Sequence, residues 1–217
     1  MTRLGRWWHL VTFAVVVLAL VLQTLLVASG QTVIDSGTTV AALPERLRRL
    51  FSYFTIQSNL FVGVALLLVL LGRTQSQAFR VVRLASLIGI TVTGVVAFVA
   101  LKPPATYTAA NLLCDRLLHV VVPVLTVVGW VAFGPRGKVT RADLLPSLAW
   151  PVLWLAATLA LGPVVGWYPY PFIDVRTIGY GSTLANCAVI AVLFLGLAAV
   201  VLVADRRLSR RHATMSA

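Results

Sequence analysis

The chain has 217 residues, of which 59% are hydrophobic and only 11% charged, with a mean hydropathy of +0.94. A water-soluble domain carries about 25% charged residues, so the composition excludes an ordinary soluble globular protein and makes lipid the main solvent. The net charge of +12 does not mark a nucleic-acid binder, because Lys and Arg are dispersed between apolar runs and form neither a basic arm nor a single patch.

Arg3 and Arg6 precede an apolar run over about 10–29. A cleaved signal has a shorter apolar core of about 7–15 residues, so this run is predicted to be the first membrane span. Five more runs of spanning length follow at about 52–72, 82–101, 110–133, 145–165 and 179–203. The breaks between spans carry turn and charge signals: Ser29 to Arg49, Gly72 to Arg80, Lys102-Pro103-Pro104, Gly134 to Lys138, and Gly166 to Arg176. All but the first are short, which predicts antiparallel, packed neighbours. The expected architecture is a single all-α domain over 1–217, polytopic, with six transmembrane helices.

With the N-terminus in the cytoplasm, twelve of the eighteen Lys and Arg residues fall on the cytoplasmic side. The positive-inside rule then predicts both termini to be cytoplasmic, with the Arg46–Arg49 cluster pulling the other way. Sixteen Arg against two Lys, in a chain dominated by Ala, Val, Leu and Gly, fit a high-GC genome and a bacterial plasma membrane. Cys114 and Cys187 both lie in apolar runs and read as small packing residues rather than a disulfide.

Polar groups inside a span are costly and mark candidate sites. They concentrate in the outer half: Gln23 and Thr24 end the first span, Tyr53 to Asn59 open the second, Asn111, Cys114, Asp115, Arg116 and His119 open the fourth, and Tyr180, Ser182, Thr183 and Asn186 open the sixth. Interhelical hydrogen bonds that merely hold a bundle are the bland alternative.

Spacing sharpens the pattern. Thr55, Ser58 and Asn59 share one helical face, as do Asn111, Asp115 and His119. Asp115 can reach a ring nitrogen of His119 and leave the other free as an acceptor, which is the base-and-orienter half of a nucleophilic site; pairing with Arg116 or Arg176 at the membrane edge is the alternative for this carboxylate. Thr55, expected about one and a half turns into the second span, lies near enough in depth to supply the hydroxyl. His119 is the only histidine within the bundle, so a metal site is not expected. The loop Gly166-Trp167-Tyr168-Pro169-Tyr170-Pro171-Phe172-Ile173-Asp174 reads either as an interfacial aromatic belt or as a stiff aromatic flap over the outer mouth.

Phe54-Thr55-Ile56-Gln57-Ser58-Asn59, Asp115-Arg116-Leu117-Leu118-His119 with Pro123, and Trp167-Tyr168-Pro169-Tyr170-Pro171-Phe172 occur in that order. As a set, spanning about the second to the sixth helix, they resemble the androgen-induced / androgen-dependent TFPI-regulating protein family of membrane hydrolases, in a bacterial six-helix branch. The resemblance implies hydrolysis of fatty acid esters of hydroxy fatty acids, with Thr55 as nucleophile and His119 as its partner. The expected mechanism needs no cofactor: Thr55 attacks, His119 takes the proton and Asp115 orients the ring. Gln57 or Asn59 would donate to the oxyanion, and Ser58, Tyr170 and Asn186 complete the candidate substrate-binding set. The expected partner is a membrane lipid or fatty acyl ester. A non-catalytic lipid-binding or transport module, or an accessory membrane protein, is the competing expectation.

Overall fold

The computed structural model describes residues 1–31, 40–101, 103, 107–137 and 139–214, with the side chains of 210–214 left aside. Lys102, Pro104 and Lys138, read above as turn residues, lie outside this set, as do the side chains of Arg210, Arg211 and His212. The described chain is helical: α1 (Arg3–Ala28), α2 (Leu43–Ser52), α3 (Phe54–Leu70), α4 (Gln77–Ala100), α5 (Ala109–Arg116), α6 (Val122–Phe133), α7 (Leu144–Val165) and α8 (Val175–Thr214). A π turn, Leu117–Val121, joins α5 to α6 without a break, and α8 is interrupted at Gly179, whose φ of 73° is non-helical. Five of these units are long and apolar enough to cross a membrane, and α2 with α3 makes a sixth if a bent pair counts as one span.

The second span departs from the sequence expectation. It does not start as a straight helix at residue 52. Tyr53 is extended (φ −69°, ψ 129°), and the axis turns by 69° between α2 and α3. The cause lies in the two compositions. Leu43–Ser52 is amphipathic, with Arg46, Arg48 and Arg49 beside Leu47 and Leu50, whereas α3 carries no charge and is apolar throughout from Leu60 on. The first belongs in an interface and the second in hydrocarbon. The Arg46–Arg49 cluster is therefore built into a helix and engaged there. Arg46 donates to the carbonyl of Val27 at the end of α1, Arg48 and Arg49 both pair with Glu45, and both guanidinium groups lie over the Trp167 ring. Trp154 Nε1 closes the end of α2 by donating to the Ser52 carbonyl at 2.8 Å.

α4 is the hub of the bundle, packing on α3, α6, α7 and α8. Over its apolar window 56% of residues are buried, against 6% for α7 and 17% for α8. The last two helices thus present most of their surface outward, as apolar helices facing lipid do. Side-chain contacts sort the loops into two ends. At one, Trp8 donates to the Leu125 carbonyl, His9 meets Gly134, Arg80 pairs with Asp143, and Val139 donates to Asp205. At the other, Gln31 accepts from Asn111, and Trp167 and Tyr170 pack edge-on against Tyr53. The candidate site belongs to this second end.

Candidate active site

The site grows from two irregularities. The first is the start of α3. Because the helix begins afresh at Phe54, Thr55 is its second residue, not a residue one and a half turns deep, and its backbone N–H has no partner within the helix. The phenol of Tyr170 supplies one: Thr55 N–H donates to Tyr170 Oη at 3.1 Å. The same Oη lies 3.1 Å from Thr55 Oγ1. Having accepted from the amide, the phenol is placed to donate to the threonine hydroxyl.

The second irregularity is the π turn that carries His119. Pro123 has no N–H for the carbonyl of His119 four residues earlier, and its ring crowds that carbonyl. The chain answers by widening one turn, so that Val122 N–H reaches Leu117 O. Leu118 O is thereby released and accepts from Asn59 Nδ2 at 3.5 Å. Gly94 of α4 makes room for the wide turn, since a Cβ there would come within 3.3 Å of both His119 O and Pro123 Cβ. The sequence signal for this turn was Pro123 alone.

Between these irregularities the side chains form a directed chain. His119 Nδ1 lies 2.9 Å from Asp115 Oδ1 and 3.1 Å from the Asp115 carbonyl, both acceptors, so this nitrogen carries the proton. Nε2 is then the bare nitrogen, and it meets Thr55 Oγ1 at 3.1 Å. The hydrogen bonds run from Tyr170 to Thr55 to His119, with Asp115 holding the far side of the ring. His119 and Asp115 side chains are 16% and 21% exposed, so the pair borders a pocket rather than lying sealed in the core.

The remaining candidates are elsewhere or otherwise engaged. Gln57, two residues from Thr55, faces the opposite side of α3. It accepts from Trp150 Nε1 at 2.7 Å and donates to the Phe51 carbonyl, so both ends of its amide are engaged away from Thr55. Asn59 is on the correct face, but its amide hydrogens go to the Thr55 and Leu118 carbonyls, which makes it a tie between α3 and the π turn. Ser58 donates to the Phe54 carbonyl and accepts from Thr93, linking α3 to α4. Asn186 donates to the Phe172 carbonyl at 2.9 Å and pins the aromatic loop to α8.

That loop is neither a surface belt nor a flap. Tyr168, Pro169, Tyr170 and Ile173 are buried, and Tyr170 stacks on Phe172 with ring centroids 5.2 Å apart. A Cβ at Gly162 would overlap the Tyr168 ring, so the glycine is what lets the loop seat. Arg176 fastens its outer edge by bonding both to Asp174 and to the Gly166 carbonyl, and its guanidinium holds the Asp174 carboxyl below the usual carboxylate range. The Tyr170–Thr55 contact, across 115 residues, is the feature that sequence spacing could not have located.

Two cavities meet at Thr55 and Tyr170, which line both. One, of about 310 Å³, also holds Asp115, Arg116, His119 and Gln23; the other, of about 320 Å³, is almost wholly apolar. Among the described residues no three His, Cys, Asp or Glu side chains gather as metal ligands. No family model, curated protein or solved structure matches the chain.

Proposed function

We propose that the chain is an intramembrane ester hydrolase with Thr55 as nucleophile. The observation that carries this reading is the 3.1 Å contact of Thr55 Oγ1 with His119 Nε2, the ring's other nitrogen being held by Asp115. A polar chain of this kind is expensive to bury between helices, and packing alone does not require a hydroxyl, an imidazole and a carboxylate in series.

In this mechanism Thr55 Oγ forms a bond to the ester carbonyl carbon as its proton passes to His119 Nε2. The imidazolium that results faces the Asp115 carboxylate. Negative charge moves to the carbonyl oxygen beside the start of α3, where the helix dipole favours an anion. Tyr170 O–H, no longer needed by Thr55 Oγ, turns to the same oxygen. Collapse breaks the bond to the alcohol oxygen, which takes the proton from His119. A water then gives its proton to His119, attacks the acyl-threonine, and frees the carboxylic acid and the Thr55 hydroxyl. The resemblance to the threonine-hydrolase family supports fatty acid esters of hydroxy fatty acids as the substrate type. Positive-inside counting and the Arg-rich composition support a bacterial plasma membrane with both termini cytoplasmic, which puts the site near the outer surface.

A fluorophosphonate probe tests the assignment directly. The purified protein in detergent should form an adduct that peptide mapping places on Thr55, and His119→Ala should abolish it. Labelling at another residue, or none alongside ester turnover, would refute the threonine mechanism; a non-catalytic lipid carrier would show neither labelling nor turnover.

Two further results are expected. Tyr170→Phe removes the donor to the oxyanion and should lower kcat by about 10²-fold with little change in KM, read from initial rates. Pro123→Ala restores the N–H that closes an α-turn, rotates His119 away from Thr55, and should cost about 10²-fold in turnover while the bundle stays folded. Unchanged rates in that variant would show that the π turn does not aim the imidazole.

A further inference from the structure

The apolar cavity has a shape that the hydrolysis chemistry alone does not explain. It is enclosed by α4, α7 and α8. Thr55 and Tyr170 stand at its end beneath the aromatic loop, and Thr93 is the only other hydroxyl-bearing residue on its wall. The Thr93 hydroxyl is already spent on Ser58. The rest is hydrocarbon, aromatic ring or the Cys187 thiol, so the cavity offers nothing to a polar guest beyond the one reactive end.

Its side is open. α7 and α8 pack on α4 and scarcely on each other. On the rim of the gap, Val152 is 64% exposed and Leu195 is 60% exposed, and both also line the cavity. From Cys187, near the reactive end, to Leu195 the wall of α8 advances eight residues, or about 12 Å. A slot of that depth, open to lipid along its length and ending on a hydroxyl, matches a straight hydrocarbon chain with an ester at its head. The second cavity starts from the same two residues and continues past His119 to Asp115, Arg116 and Gln23, where an alcohol with a polar group finds partners.

Resting on the hydrolase reading, we propose that the cavity among α4, α7 and α8 is the acyl-chain site. The chain enters sideways from the bilayer between α7 and α8, the carbonyl stops at Thr55, and the alcohol leaves through the polar cavity beside His119. What the slot adds to the proposed substrate type is a limit on its acyl half, which must be a straight chain. Acyl length is selected by the depth of the slot, which takes on the order of ten methylenes below the carbonyl.

The test uses the full chain in phosphatidylcholine nanodiscs and p-nitrophenyl esters from butanoate through octanoate and dodecanoate to hexadecanoate. Ala191→Trp fills the middle of the slot and Leu148→Trp its far end. Ala191→Trp should lower kcat/KM for dodecanoate at least about tenfold and leave butanoate within about twofold, because excluded methylenes forfeit their burial. Leu148→Trp should spare octanoate and reduce only the longest esters. Equal losses at every length, or an unchanged length profile in both variants, would overturn the assignment. A second readout is independent of turnover. A diazirine fatty acid photolysed on Thr55→Ala should label peptides covering 148–155 and 187–195, and Ala191→Trp should suppress that labelling. Labelling there in a protein without any esterase activity would sink the hydrolase reading and leave the chain site standing. Turnover with adducts confined to other helices would do the reverse.

Discussion

Thr55→Val is expected to lower ester turnover by at least about a thousandfold, whereas Thr55→Ser keeps a large part of it. Valine fills nearly the same volume at a buried position, so the helix and its neighbours need not move. What disappears is the only atom that both touches His119 Nε2 and can accept an acyl group. Tyr170 also loses the hydroxyl that it faces, and an unmet buried donor costs about 1–3 kcal/mol, so a lower Tm is expected alongside. The separation of the two effects matters. A residue that only glued helices together would lower Tm and leave turnover per folded molecule intact, and that outcome ends the nucleophile assignment. Serine supplies the control, because it restores the oxygen but not the methyl group.

Asp115→Asn should be nearly as damaging, by about 10³- to 10⁴-fold, although it is the smaller chemical change. The carboxylate has only acceptor oxygens, and this fixes the His119 proton on Nδ1. An amide can present its NH₂ group instead, which favours the tautomer with hydrogen on Nε2. That nitrogen would then point a donor at Thr55 Oγ1 and could not remove its proton. His119→Ala should match this loss, and the double variant should be no worse than either alone, because the two side chains act as one unit. Initial rates together with fluorophosphonate labelling of Thr55 check this. Additive losses in the double variant would mean that Asp115 acts independently of the imidazole.

Much of this arrangement was legible in the residues before any coordinates. Five of the six apolar runs correspond to α1, α4, α5 through α6, α7 and α8, because length and hydropathy are direct consequences of crossing hydrocarbon; the run 52–72 corresponds to α3, which at 17 residues reaches spanning length only when counted with α2. The Asp115–His119 pairing followed from a four-residue spacing, which is local and survives the π turn. What spacing could not supply was non-local. The bend at Tyr53 lies inside a run that reads as continuous from 52 onward, and the amphipathic character of Leu43–Ser52 shows only when its arginines are counted as a helical face. Gln57 and Asn59 looked equivalent as donors, since a run of polar residues does not say which amide hydrogens are already taken. Tyr170 was singled out for its loop, but its hydrogen bond to the start of α3 depends on how that loop folds inward, and no periodicity encodes this.

On the hydrolase reading, the bend ahead of α3 also sets how the reaction gets its second reactant. With 17 residues, α3 rises about 25 Å, less than the roughly 30 Å of a bilayer's hydrocarbon. Amphipathic α2, with its three arginines, has the composition to rest among headgroups beside Phe54. Thr55, the second residue of α3, then lies at the end of that helix nearest α2 rather than at its middle. On the hydrolase reading, deacylation draws its water from the boundary layer at that end, without an aqueous channel through the bundle.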